Sequence, residues 1–170
     1  MATTKDFRQY ALAPSHVDAA GKHVGRHIYW KLYAIENIVR VITHSILSVQ
    51  SGPTWWQSAA DAQIKGNVAW KKSDYANMPW HSTPGKHDIY YTTLSELVKI
   101  ITNHSNLFTP LIPNINQWIV RLEEIRLPRN IVGHMNWLSK NDKNRIDLLH
   151  ADLLQLIHKL SASGTALSIP

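Results

Sequence analysis

Ile28, Leu32, Ile35, Val39, Ile42 and Ile46 recur at steps of four and three residues. A helix advances about 100° per residue, so this spacing draws one continuous apolar stripe along its length. Val24, Ile38 and Leu47 widen the stripe, and Ser51-Gly52-Pro53 supplies the stop, glycine then proline. A face this long must be covered by other helices, so it commits the chain to helix-on-helix packing.

The remaining segments supply the cover. Trp55-Trp56 is expected to fold back as an apolar plug, and Ser58–Tyr75 reads as a second, polar helix despite Gly66. Met78–Asp88 is broken by proline and glycine and reads as a loop. A third helix is expected from about Thr92, with Leu94, Leu97, Val98 and Ile101 facing inward. Pro110 and Pro113 bracket a turn, after which Asn114 or Asn116 is placed to cap a fourth helix carrying Trp118, Ile119, Leu122 and Ile125 inward. Pro128 should kink that helix or force a restart at Arg129, because proline has no N–H to donate. Ser139-Lys140-Asn141-Asp142 is a capping signal for the last helix, whose buried side is Ile146, Leu149, Leu153, Leu156, Ile157 and Leu160. The expectation is an all-α, up-and-down bundle of about five helices over 15–160, with an arm at 1–14 and a frayed tail at 161–170.

Charge and composition narrow the function. The 170 residues carry a formal net charge of +6, and the 10 histidines add to it in acid. This balance favours a polyanion such as RNA as partner. The absence of cysteine excludes disulfides, thiol nucleophiles and cysteine-ligated zinc. No glycine-rich phosphate loop or other cofactor motif occurs, so no cofactor is expected. No uninterrupted apolar run approaches the ~20 residues of a membrane span, and Met1–Arg8 lacks a signal-peptide core, which predicts a cytoplasmic chain without a membrane partner.

Arg129-Asn130-Ile131-Val132-Gly133-His134 concentrates the chemistry. On a helix Asn130 and His134 would project about 40° apart, with Arg129 on the flank at about 140° from the histidine. A cation, an amide and an imidazole together could grip a phosphate and move a proton, the requirements of metal-free RNA cleavage. The spacing recurs in Arg145-Ile146-Asp147-Leu148-Leu149-His150, where the residue after the arginine is apolar; that copy reads as coincidence.

A helical bundle whose penultimate helix carries Ile125-Arg-Leu-Pro-Arg129-Asn130-x-x-x-His134 resembles a HEPN domain. Tyr33-Ala-Ile-Glu36-Asn-Ile-Val-Arg40 is similar to the Glu-x-x-x-Arg signature common on the first helix of such domains. Trp55-Trp56, Asp88-Ile-Tyr-Tyr91 and Ser139-Lys-Asn-Asp142-x-x-Arg145 point to the branch found attached to a nuclear mRNA surveillance endonuclease. Two features depart from the pattern. Pro128 interrupts a helix that usually runs through, and Asn136 stands where toxins paired with nucleotidyltransferase antitoxins carry a modifiable tyrosine.

The resemblance implies a metal-independent endoribonuclease leaving a 2′,3′-cyclic phosphate and a 5′-OH. His134 would be general acid or base, Arg129 would stabilise charge on the phosphorus, and Asn130 would hold the phosphate or the imidazole. It further implies a homodimer with a composite site, and a role in stress, as a toxin or in phage defence, with an antitoxin or other effector as partner. Glu36 would hold Arg129 in place, the alternative being a plain ion pair with Arg40. Gly133 would admit a second helix or a phosphate, unless it serves packing inside one protomer. The alternative to an enzyme is a non-catalytic module that binds RNA or a partner protein and dimerises.

Lys140, Lys143 and Arg145, just past the motif, are candidates for holding RNA phosphates, as are Lys71 and Lys72 beside Trp70, Tyr75 and Trp80. His23 and His27 stand at i, i+4 spacing, but no third ligand accompanies them, so no metal is expected.

Overall fold

The computed structural model describes residues 6–170. It is all-helical, with no strand among the described residues. The apolar stripe lies on α2 (Trp30–Ser51), which continues α1 (Pro14–Val24) through a wider π-helical turn at Gly25–Tyr29. Pro14 opens α1, where its missing N–H costs nothing. Gly52 ends α2 at φ 81°, a left-handed conformation that glycine adopts freely.

Ile35, Ile46 and Leu47 of α2 are completely or almost completely buried. They are covered by α5 (Leu94–Asn103) on one side and α8 (Lys140–Ala162) on the other, while α7 (Ile115–Gly133) touches both α5 and α8 and closes the ring. Each fully buried Leu or Ile in this core contributes about 1.5–3 kcal/mol. Lys31 of α2 pairs with Asp147 of α8 at 2.6 Å, and Arg121 of α7 pairs with Asp152 of α8.

Several expectations are revised. The second helix is two: α3 (Trp55–Ala59) and α4 (Ala62–Ala76), because the Asp61 carboxylate accepts from the Ile64 N–H at 2.8 Å and starts a new helix. Trp55 and Trp56 are buried, as a plug must be. A 3-10 turn, Asp88–Tyr91, precedes α5, whose start is a reciprocal capping box between Thr93 and Glu96. The short α6 (Ser105–Phe108) follows α5. Asn114 occupies the cap position of α7 but makes no side-chain cap bond. Within α7, Trp118 and Ile119 are only partly covered, as are Leu156 and Ile157 of α8.

Pro128 does not interrupt α7, which continues to Gly133 with the ring buried. The tail is not frayed. The Ser168 N–H donates to the Ser45 hydroxyl at 2.8 Å, Leu167 packs on the core, and the Tyr90 hydroxyl donates to the Pro170 carbonyl at 3.4 Å. Ser45 is buried in α2, where its hydroxyl donates to the Val41 carbonyl at 2.7 Å and accepts from the tail backbone. At the other end, residues 1–5 of the expected arm lie outside the described residues, while Phe7 lines an apolar groove with Val17 and Val24.

Although no uninterrupted apolar run is that long, the continuous helix Pro14–Ser51 holds an 18-residue window of mean hydropathy 1.2, long and apolar enough by length and composition to cross a membrane. Of that window 44% is buried inside the protein, because the same stripe that raises its hydropathy faces the core.

Candidate functional site

Two rows of side chains on α2 and its π turn form one wall of a cleft of about 530 Å³. Leu32, Glu36 and Arg40 make the inner row and Tyr29, Tyr33 and Asn37 the outer, each at steps of four. Opposite stand Arg129, Val132 and Gly133 of α7, and Pro84 with Tyr90 closes the far end.

Glu36 is the keystone. One carboxylate oxygen accepts from Arg129 Nε at 2.6 Å, and the other accepts from Arg40 Nη2 at 3.1 Å. The expected alternatives for Glu36, a clamp on Arg129 or an ion pair with Arg40, are therefore both realised. Arg40 is itself fastened. Its Nη2 also donates to the Thr92 carbonyl at 3.0 Å and its Nη1 to Asn37 Oδ1 at 3.3 Å. The Glu36 and Arg40 side chains are only 13% and 11% exposed, which makes the pair a buried one whose breaking leaves an uncompensated charge. Arg129 is more open at 35%. Among the described residues neither of its terminal nitrogens has a hydrogen-bond partner, so that half of the guanidinium fork faces the cleft unoccupied. With two arginines against one carboxylate, the cleft carries net positive charge and suits an anion.

Asn130 and His134 lie elsewhere. Both are exposed, and neither lines the cleft that Arg129 enters. The reason is the helical step: neighbours on a helix diverge by about 100°, so one residue of the motif faces the cleft while the next turns away. His134 is not inside a helix as expected. It caps α7 at φ −88° and ψ 18°, its N–H still bonded to the Asn130 carbonyl at 2.9 Å. The chain then reverses at Met135, the one non-glycine residue with positive φ (58°) among those described. Met135 N–H reaches the Val132 carbonyl and Asn136 N–H the Ile131 carbonyl, both at 2.9 Å, a Schellman ending that usually employs glycine. A Cβ built on Gly133 would meet only Arg129 Nη1, at 3.6 Å, so packing inside the protomer does not demand a glycine there.

The other sequence candidates divide. Lys140 is exposed at the start of α8 and Lys143 is half-buried; Arg145 is exposed but pairs with Asp142 at 3.0 Å. Lys71 and Lys72 are engaged within the fold. Lys71 donates to the Tyr91 carbonyl at 2.8 Å and pairs with Glu96 at 3.3 Å, while Lys72 pairs with Asp88 at 2.7 Å. They bind α4 to the 3-10 turn, and phosphate would have to displace those partners. His150 of the second Arg-x-x-x-x-His copy packs edge-on against Trp30. His23 stacks on Trp137 and lies tilted against His27, and no cluster able to hold a metal occurs among the described residues.

Sequence reasoning missed two things. One is the tyrosine row, although Tyr29, Tyr33 and Asn37 run parallel to Leu32, Glu36 and Arg40 and so were visible as a second i, i+4 series. The other is a cluster of two half-buried imidazoles on the buried Trp55 indole, for which no local signal exists. Trp55 donates its indole N–H to His44 Nδ1 at 3.2 Å, and His87 stacks on Trp55 with ring centroids 5.4 Å apart. Burial, then the neighbouring His87, holds the His44 pKa below the ordinary histidine range. Burial lowers His87 as well, partly opposed by Asp88.

No known family matches the chain's sequence, and no curated protein or solved structure is significantly similar to it.

Proposed function

We propose that the chain is a metal-independent endoribonuclease of the HEPN type, acting in the cytoplasm as a homodimer. The observation that carries the reading is the Glu36–Arg129 ion pair, 93 residues apart in sequence, which joins the Glu-x-x-x-Arg element to the Arg-x-x-x-x-His element. It leaves the terminal nitrogens of Arg129 available for a phosphate. The long helices are also in keeping with the bundle that such domains form.

In this reading the RNA 2′-oxygen attacks phosphorus and the P–O5′ bond breaks, leaving a 2′,3′-cyclic phosphate and a 5′-OH. One His134 takes the 2′-OH proton and another, from a second protomer, protonates the departing 5′-oxygen. Arg129 stabilises the charge gathering on the phosphoryl oxygens. The exposed position of His134 and the bare Gly133 wall suit a site completed by a second copy. Exposed Lys140 would extend the phosphate track. The resemblance further suggests a role in stress, as a toxin or in phage defence, with an antitoxin or other effector as partner.

A second reading is a non-catalytic module that binds RNA or a partner protein and dimerises. It is favoured by one observation: within a protomer Arg129 faces the cleft while Asn130 and His134 do not. Labelled RNA incubated with protein in EDTA decides between them. The enzyme yields cyclic-phosphate ends that vanish in His134→Ala and Arg129→Ala; equal cutting by the double variant would refute the assignment. Salt-sensitive binding without cutting would identify the module.

A further inference from the structure

Resting on the ribonuclease reading, we infer that the Tyr29–Tyr33 row is a base-stacking subsite that restricts the Arg129 cleft to an unpaired nucleotide of single-stranded RNA. Tyr33 is 66% exposed and Tyr29 55%, an unusual outlay of aromatic surface on a helix whose other face is fully committed to the core. Both line the same cleft as Arg129, and Tyr90 lines it too. The two residues stand one helical turn apart on the outer row, beside the inner row whose Glu36 holds the Arg129 guanidinium.

Backbone geometry supports a built feature. The π-helical turn ends at Tyr29, and a π turn inserts one residue into the helical register, so it sets where Tyr29 and every later side chain on α2 point relative to α1. The far end of the cleft is fixed as well. Gly85 lies so close to Tyr90 that a Cβ there would fall 2.5 Å from the ring, which seats the Pro84 segment against Tyr90 and closes that end.

The chemistry then selects the ligand. A cleft of about 530 Å³ is within the size range of small-ligand sites and has room for one nucleotide, not for a double helix. Arg129 offers a planar donor fork for a phosphate, and the tyrosines offer π faces for the attached base. Paired bases are already stacked and covered; only an unpaired base can be laid on a tyrosine ring.

The test uses the whole protein and a fluorescently labelled 2′-O-methyl hexamer, which lacks the nucleophile and is not cut. Binding is followed by anisotropy, with circular dichroism confirming that each variant is folded. Tyr33→Ala should weaken binding roughly fivefold to a hundredfold, and Tyr33→Phe should stay within about twofold because the ring is kept. An abasic hexamer keeps the phosphates without the bases and should bind wild type and Tyr33→Ala alike, as should a duplex of the same sequence. If a Tyr29→Ala, Tyr33→Ala double variant binds the single strand as tightly as wild type, or if wild type does not bind it, the subsite is refuted. Tyrosine-dependent binding with no cutting of ordinary RNA would leave the subsite standing and remove the nuclease; cutting without tyrosine dependence would do the reverse.

Discussion

The two Arg-x-x-x-x-His copies have the same spacing and opposite fates. Arg129 lies near the end of α7 and is drawn into a cleft by a carboxylate from another helix, while His134 caps that helix in solvent. Arg145 lies in the first turns of α8, is satisfied by Asp142 three residues away, and His150 is absorbed by packing against Trp30. The first copy is wired to the rest of the molecule by a long-range ion pair; the second is closed on its own helix. A five-residue spacing therefore carries little meaning until the partners of each end are known.

The largest expected effect separates the copies by activity. His134→Ala should lower RNA cleavage by roughly 10²–10⁴-fold, the usual worth of a positioned acid or base, while His150→Ala stays within about threefold in the same gel assay. Equal losses in both would erase the distinction. Stability separates the arginines next. Glu36→Ala leaves two guanidiniums, one of them mostly buried, without a counter-charge, and should cost about 3–5 kcal/mol in urea unfolding. Asp142→Ala releases the exposed Arg145 and the Ser139 hydroxyl but keeps the backbone cap of α8, and the ion pair itself is worth about 0–1 kcal/mol.

The histidines separate by pH. Burial, then the nearby Lys31, holds the His150 pKa below its ordinary value despite Asp147. A base whose pKa is depressed by folding binds fewer protons folded than unfolded. Its stabilising contribution is complete above about pH 6.5 and is lost as pH falls from there toward the folded value. His23, His44 and His87 are shifted in the same direction, so stability should decline over a window that opens as the pH falls below about 6.5. His150→Gln should flatten part of that decline in unfolding midpoints measured at both ends of the window; an unchanged slope would mean that His150 gains nothing from its packing.

The smallest effect concerns how the first copy ends. Met135 holds a left-handed conformation that glycine adopts without strain, so Met135→Gly should raise stability by up to about 1 kcal/mol. Gly133→Ala should also stabilise, by roughly 0.5–1 kcal/mol, since a Cβ has room there. If it nevertheless suppresses cleavage, the bare wall beside Arg129 is used by something outside the protomer.

Much of the helical framework could be read directly. The stripe from Ile28 to Ile46 lies on the buried face, and the last helix starts at Ser139 because the Ser139 hydroxyl accepts from the Asp142 N–H. Errors arose where a local rule met a stronger one. Pro128 sits inside α7 because its buried ring and the packing on both sides hold the helix together against one missing hydrogen bond. Asp61 broke the second helix because a short acidic side chain satisfies a helix start better than it continues one. The tail docks on Ser45, buried some 120 residues earlier and already bonded to the Val41 carbonyl, through a contact that only folding brings near.

What the residues determine on their own is periodic: which face of each helix is apolar, where caps and glycines end it, and that Glu36 and Arg40 stand at the i, i+4 interval that lets them meet. Side-chain direction along one helix follows from a 100° step and needs no other information. Tertiary structure alone decides which of those residues share a space. It places Glu36 between two arginines, puts the tyrosine row in the same cleft as Arg129, and leaves Asn130 and His134 outside that lining. Those outcomes depend on how helices distant in sequence cross, a matter of packing that no local spacing encodes.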